Sequence, residues 1–234
     1  MNEDYGKFHG IPLREVKYAQ TKIRIYKAFI EKLCRDSFDS INVNTLCEEI
    51  GVSRRAFFNY FPYKSYVLLY MVQISIIEIA VYTYKNHNRN AGLELIYTGF
   101  EEFGKKIIQY PDMIFEAISC LYRKGTDLSK FSKLTKAEEI LWNLDTSVLN
   151  EVPTLGFREL AITAVNNAVL LKELPEGIKF ETIEISLNSI LFGVPLSLKN
   201  GSLEKLCEMY REQLDILWEG LRAKTKTHLK ENLA

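Results

Sequence analysis

The chain has 234 residues, 47% of them hydrophobic, and its 30 Lys and Arg residues balance 30 Asp and Glu residues. That composition is ordinary for a globular protein and supplies a core, while the balanced charge names no partner. Cys34, Cys47, Cys120 and Cys207 are far apart, and His9, His87 and His228 are equally scattered, so the spacings of zinc ligands are missing.

Each cysteine stands in an apolar, helix-like setting, so four reduced core thiols are expected. No apolar run reads as a membrane span and Met1–Lys7 is polar, so the expectation is a cytoplasmic protein without a signal peptide. Residues 1–70 hold 11 Lys and Arg against 8 Asp and Glu, a mild basic excess.

Helical spacing recurs along the chain and strand patterns are nearly absent. The first helix is predicted from Leu13 to Asp36, where Ile25, Phe29 and Leu33 form a stripe beside Tyr26 and Ile30. Short helices follow at Val43–Ile50 and from Arg54 to about Tyr60. Pro62 then interrupts the pattern. A long helix from about Tyr63 to Asn86 is apolar on nearly every side and therefore central. After a polar break at Asn86–Gly92, helices are placed near 92–109, 112–123, 132–149, 155–173, 180–198 and 202–226, with Pro and Gly punctuating them. The expected protein is all-α. It has an N-terminal tail (1–12), a three-helix unit (13–66), a larger helical unit (67–226) and a C-terminal tail (227–234).

The informative stretch is INVNTLCEEIGVSRRAFFNYFPYKSYVL (Ile41–Leu68). Asn42 is a good N-cap for the helix at Val43. Gly51 follows that helix's last apolar residue and can supply a left-handed C-terminal stop. Ser53 then caps the next helix. Two short helices joined by a brief turn with Gly have helix-turn-helix geometry. Arg54 and Arg55 occupy the first turn of the second helix, the wrong end for cations at about 0.3–1 kcal/mol each. An anion meeting them would resolve the mismatch. In helix-turn-helix proteins this end faces the DNA major groove, where Arg can bond guanine or a phosphate. Phe57 and Phe61 would anchor the helix, and Asn59 and Tyr60 could reach bases or backbone. The alternative is that the cations form a solvated surface.

GVSRRAFFNYFPYKSYVL (Gly51–Leu68) resembles the recognition-helix region of TetR/AcrR-family repressors, and GIPLREVKYAQTKIRI (Gly10–Ile25) resembles their basic lead-in to helix one. The close resemblance covers about residues 10–70. It implies a DNA-binding helix-turn-helix domain followed by a helical ligand-binding and dimerisation domain. The residues implied in DNA contact are Arg14, Lys17, Lys22, Asn42, Asn44, Ser53, Arg54, Arg55, Asn59, Tyr60 and Lys64, with Lys64 on a phosphate. The sequence departs from the family pattern at Ser37, where Gly is frequent, at Phe58, where Tyr is, and at Tyr63, where a Ser or Asn cap is usual.

Near the C-terminus, Leu203, Cys207, Tyr210, Leu214, Leu217 and Leu221 are spaced 4, 3, 4, 3, 4, a heptad seam. That seam and the apolar segment Ile183–Leu198 could pack within one chain. The resemblance implies instead a homodimer through helices near 180–198 and 202–226. It would bind a palindromic double-stranded operator as a repressor and be released by a small-molecule effector. Tyr82, Tyr97, Phe100, Phe103, Tyr110, Met113, Phe115, Tyr122, Trp142 and Phe157 could line an effector pocket or simply fill a core. An enzyme is the contrary reading, but no Gly-rich phosphate loop, H-E-x-x-H or G-x-S-x-G motif is present, so no catalytic residue, metal or cofactor is expected. A helical adaptor that has lost DNA binding is the third.

Overall fold

The structure, a computed structural model, describes residues 5–88, 90–110, 114–119, 133–149, 157–198 and 201–231. The described part is all helical, with no strand among the described residues. A 3-10 turn (Tyr5–Phe8) precedes α1 (Leu13–Leu33), α2 (Val43–Glu49), α3 (Arg54–Tyr60), α4 (Ser65–Asn86) and α5 (Leu93–Gln109). Helical residues 114–119 form α6. They are followed by α7 (Lys136–Leu141), α8 (Thr146–Leu149), α9 (Phe157–Leu170), α10 (Phe180–Leu198) and α11 (Leu203–Glu231).

Three local departures from the sequence expectation have physical causes. Helix α1 ends at Leu33, not Asp36, because the Arg35 and Asp36 amides both fold back onto the Lys32 carbonyl at 2.9 Å. Cys34 sits at that end and is exposed, so it is not a core thiol; Cys47 is buried and Cys207 half-buried. The helix expected at 132–149 is two helices. Asn143 adopts φ 53° and closes α7, and the Asp145 carboxylate then accepts the Ser147 amide at 3.0 Å to start α8. Helix α4 is, by length and composition, long enough to cross a membrane, contrary to expectation; Val67–Met71 and Ile79–Val81 within it are buried by protein.

Contacts divide the chain into two compact units: Met1–Glu78 with Tyr110–Glu151, and Ile79–Gln109 with Val152–Ala234. The first unit thus includes most of α4 and a later stretch in addition to the expected 13–66. Its core joins Ile25 and Phe29 of α1, Leu46 of α2, Phe57 of α3, Phe61 just after it, and Val67, Tyr70 and Ile74 of α4. A smaller cluster packs Phe8, Val16 and Ala19 against Ala137 of α7.

Beside Ala137, the Glu138 carboxylate is 2% exposed. Its Oε1 accepts the Lys22 ammonium and the Tyr70 hydroxyl, each at 2.8 Å, and its Oε2 accepts the Thr135 amide at 3.0 Å. The Glu138 amide returns a bond to the Thr135 hydroxyl at 3.2 Å, completing a capping box on α7. Trp142 Nε1 donates to the Tyr70 oxygen at 3.0 Å, and Lys22 lies 4.1 Å from the centre of the Tyr70 ring. Burial pushes the Glu138 carboxyl up, but Lys22 and the three hydrogen bonds outweigh it and hold the group below its usual value of 4.5.

In the second unit α5 packs on α9 and α11, and α10 on α11. Phe100 is fully buried, edge-on to Tyr210 at 5.2 Å and beside Phe157 at 5.7 Å. Helix α10 runs through Pro195, which has no amide to give the Leu191 carbonyl one turn earlier. The Tyr210 hydroxyl, buried on α11, donates to that carbonyl at 2.7 Å and fills the vacancy.

These contacts carry three stability predictions. Lys22→Met leaves a buried carboxylate unpaired and is expected to cost about 3–5 kcal/mol in urea denaturation, with most of that recovered by Lys22→Met combined with Glu138→Leu. Because the Glu138 carboxyl is held below 4.5, its stabilising contribution is complete above that pH and drains away as pH falls through the lower folded value; Glu138→Gln removes this part of the acid sensitivity. Tyr210→Phe strips the Leu191 carbonyl of its donor and is expected to cost about 1–3 kcal/mol by the same measurement, with little change in shape.

Candidate nucleic-acid interface

The approach to α3 is built by local chemistry. The Asn42 side chain accepts the Asn44 amide at 2.8 Å and starts α2, with both asparagines exposed. At the far end Gly51 takes φ 64°; its amide bonds to the Glu48 carbonyl at 3.2 Å and the Val52 amide to the Cys47 carbonyl at 3.0 Å. That pair of bonds is a Schellman closure, which requires the left-handed residue that Gly supplies without strain. Val52 packs onto the core, and the Ser53 hydroxyl accepts the Ala56 amide at 3.1 Å to start α3.

Helix α3 is fixed by its apolar side. Phe57 is 0% exposed, and Phe61 at its end packs against the Tyr70 ring at 5.8 Å. The opposite side carries Arg54, Arg55 and Asn59, all exposed. The Arg54 guanidinium stands 5.6 Å from the centre of the Phe58 ring, and neither arginine forms an ion pair with a described residue. The nearby acidic side chain of Glu49 is taken by Lys32 at 2.8 Å.

Tyr60, half-buried at the last turn of α3, stacks on Tyr18 of α1 with ring centres 4.5 Å apart. Around that pair, Arg14, Lys17 and Thr21 complete an open cleft of about 490 Å³. Arg14 and Lys17 are exposed, so α1 and α3 together present two cations, two phenols and a hydroxyl along one depression. Tyr18 went unmarked in the sequence because its stacking partner lies 42 positions along the chain.

Two sequence-selected lysines are engaged elsewhere. Lys22, expected in DNA contact, holds Glu138, so its ammonium serves the interior of the first unit. Lys64 donates to the Ile41 carbonyl at 3.1 Å and the Asp39 carbonyl at 3.3 Å, and lies 4.5 Å from the centre of the Phe38 ring. Burial pulls its ammonium below the usual lysine range, with Asp39 and Glu116 opposing. Lys64 therefore staples the α1–α2 connection to the start of α4.

Of the residues considered for an effector pocket, Met113 and Tyr122 lie outside the described residues. Trp142 packs with Tyr26 and Tyr70 in the first unit. Phe100 and Phe157 fill the core of the second, Phe103 packs on Phe192 at 5.8 Å, and the Tyr97 hydroxyl bonds to Asp215. No group of three or more His, Cys, Asp or Glu among the described residues is placed to hold a metal ion.

On α10 and α11, Tyr210 and Leu214 of the heptad seam are buried within their own unit. A different stripe faces outward: Ile185, Ser189, Gly193 and Leu196 on α10 beside Met209, Gln213 and Ile216 on α11. Ile185, Leu196 and Ile216 are 69%, 59% and 63% exposed, and a Cβ at Gly193 would meet nothing within 4 Å.

No protein-family model matches the chain, and no curated protein is significantly similar to it in sequence.

Proposed function

We propose that this protein is a ligand-responsive DNA-binding transcriptional regulator of the TetR/AcrR type, a repressor that binds a palindromic operator as a homodimer. The observation that carries the reading is the pair Arg54–Arg55: exposed, without an acidic partner among the described residues, on a helix whose other side is anchored by Phe57. The glycine-closed turn between α2 and α3 and the two serine and asparagine caps support helix-turn-helix geometry. In this reading α3 enters the major groove, Arg54, Arg55 and Asn59 meet base edges, and the Arg14–Lys17–Tyr60 cleft meets the sugar-phosphate backbone.

The homodimer would form on the outward stripe of α10 and α11, where apolar side chains alternate with Ser189 and Gly193 and leave room for close helix approach. Two-fold pairing would place two α3 helices on half-sites about one DNA turn apart. A small-molecule effector would release DNA by binding the DNA-incompetent arrangement more tightly. Helix α4, whose chain passes from one unit into the other, is the proposed route of that change.

Two experiments test the reading. The wild-type chain is expected to shift the DNA upstream of its own gene, with affinity falling steeply as salt rises. Arg54→Ala or Arg55→Ala should lose about 1–3 kcal/mol of discrimination between sequences. Wild-type-like affinity and selectivity in the double variant would sink the assignment and leave a helical adaptor. Ile216→Glu should fold normally, since the side chain is already in water, yet weaken self-association at least ~10-fold in sedimentation, the scale of a lost interface hot spot.

A further inference from the structure

The Glu138 carboxylate does two jobs at once. It caps α7 through Thr135, and it pins α7 to α1 and α4 through Lys22 and Tyr70. Helix α7 has six residues, far short of the ~12–15 at which an isolated helix becomes even marginal, so its helicity depends on being docked. Folding and docking of this segment are therefore one event, which makes it a two-state element.

Two short routes lead from that carboxylate to the C-terminal end of α3. Lys22 stands one helical turn from Tyr18 on α1, and Tyr18 stacks on Tyr60 at 4.5 Å. On α4, Tyr70 bonds to Glu138 and packs its ring against Phe61, the residue after Tyr60, at 5.8 Å. Both supports of the end of α3 thus converge on one buried oxygen, Oε1 of Glu138. The chain on either side of this latch belongs to the other unit: residues 110–151 leave after α5 and rejoin it before α9.

We infer that Glu138 is a positioning residue for α3, and that the α7 segment is a latch whose docking sets the DNA affinity of the helix it supports from behind. This rests on the DNA-binding reading above. The latch closed holds Tyr60 and Phe61 in place; the latch open loosens the end of α3 without removing any group that touches DNA. Because binding couplings are reciprocal, DNA bound at α3 must also favour the docked latch by the same factor.

The test uses the full-length protein and a duplex selected by the wild-type chain from a random-sequence pool. Hydrogen exchange is followed in peptides covering 133–149, with and without that duplex, and affinity is measured by fluorescence anisotropy across salt. All variants are compared at a temperature where circular dichroism shows them fully folded. Bound DNA is expected to slow exchange in 136–141 of the wild type. Glu138→Gln should weaken binding at least ~5-fold. Its slope of log affinity against log salt should equal the wild-type slope, since no phosphate contact is lost. Tyr70→Phe should act in the same direction and more weakly; if Glu138→Gln fails to fold, this variant decides. Unchanged exchange in 136–141 on DNA, unchanged affinity in the variants, or a reduced salt slope overturns the inference and leaves the DNA-binding reading standing. If the wild-type chain selects no duplex, the DNA-binding reading itself fails and the latch falls with it.

Discussion

A carboxylate 2% exposed stays charged only if its surroundings replace water completely, and that demand of Glu138 organises the first unit. It requires a cation, met by Lys22 from α1, a hydroxyl, met by Tyr70 from α4, and a backbone amide, met by Thr135. Three segments far apart in sequence are fixed relative to one another by a single group. An apolar side chain at 138 could be buried at less desolvation cost, but it would accept many orientations of α7. The ion pair accepts very few, since each missing partner leaves an uncompensated charge.

The α2–turn–α3 region shows the opposite kind of control. Asn42, Gly51 and Ser53 act on atoms two to four residues away, so their roles were legible in the sequence, and the bounds of α3 match those expected. Phe57 and Phe61 were legible for the same reason, because helical periodicity is itself a local pattern. Reading failed where the partner is distant. Lys22 and Lys64 resemble free cations at useful positions until Glu138, 116 residues on, and the Asp39–Ile41 carbonyls come into view. One signal for the first was available: Thr135-x-x-Glu138 spells a capping box, which starts α7 and marks Glu138 as a residue with fixed partners.

The C-terminal seam was only partly legible for a related reason. A 4-3-4 spacing establishes that a helix has an apolar face, not which neighbour covers it. Tyr210 and Leu214 face their own unit, and Tyr210 is drawn inward by the carbonyl that Pro195 leaves without a donor. The stripe left outward is weaker in sequence because Ser189, Gly193 and Gln213 interrupt its apolar residues. Small residues lower a hydrophobic score while permitting closer helix approach, so composition alone undervalues such a face.

The division of cations then bears directly on what the first unit can do. Lys22, Lys32 and Lys64 are each taken up by acidic side chains or carbonyls, and each ties one element to another. Arg14, Lys17, Arg54 and Arg55 are exposed and form no ion pair with described residues. Were Lys22, Lys32 and Lys64 part of the exposed set, their charge would sit on long flexible stems and lose much rotamer freedom on meeting an anion. Instead these three lysines tie α1 to α7, α1 to α2 and the α1–α2 connection to the start of α4, and the core those elements share seats Phe57 of α3, the helix that carries the arginine pair. A guanidinium fork held on a fixed helix loses less freedom per bond formed. The tied lysines, which looked like lost contacts, are what make the exposed arginines a surface of defined geometry.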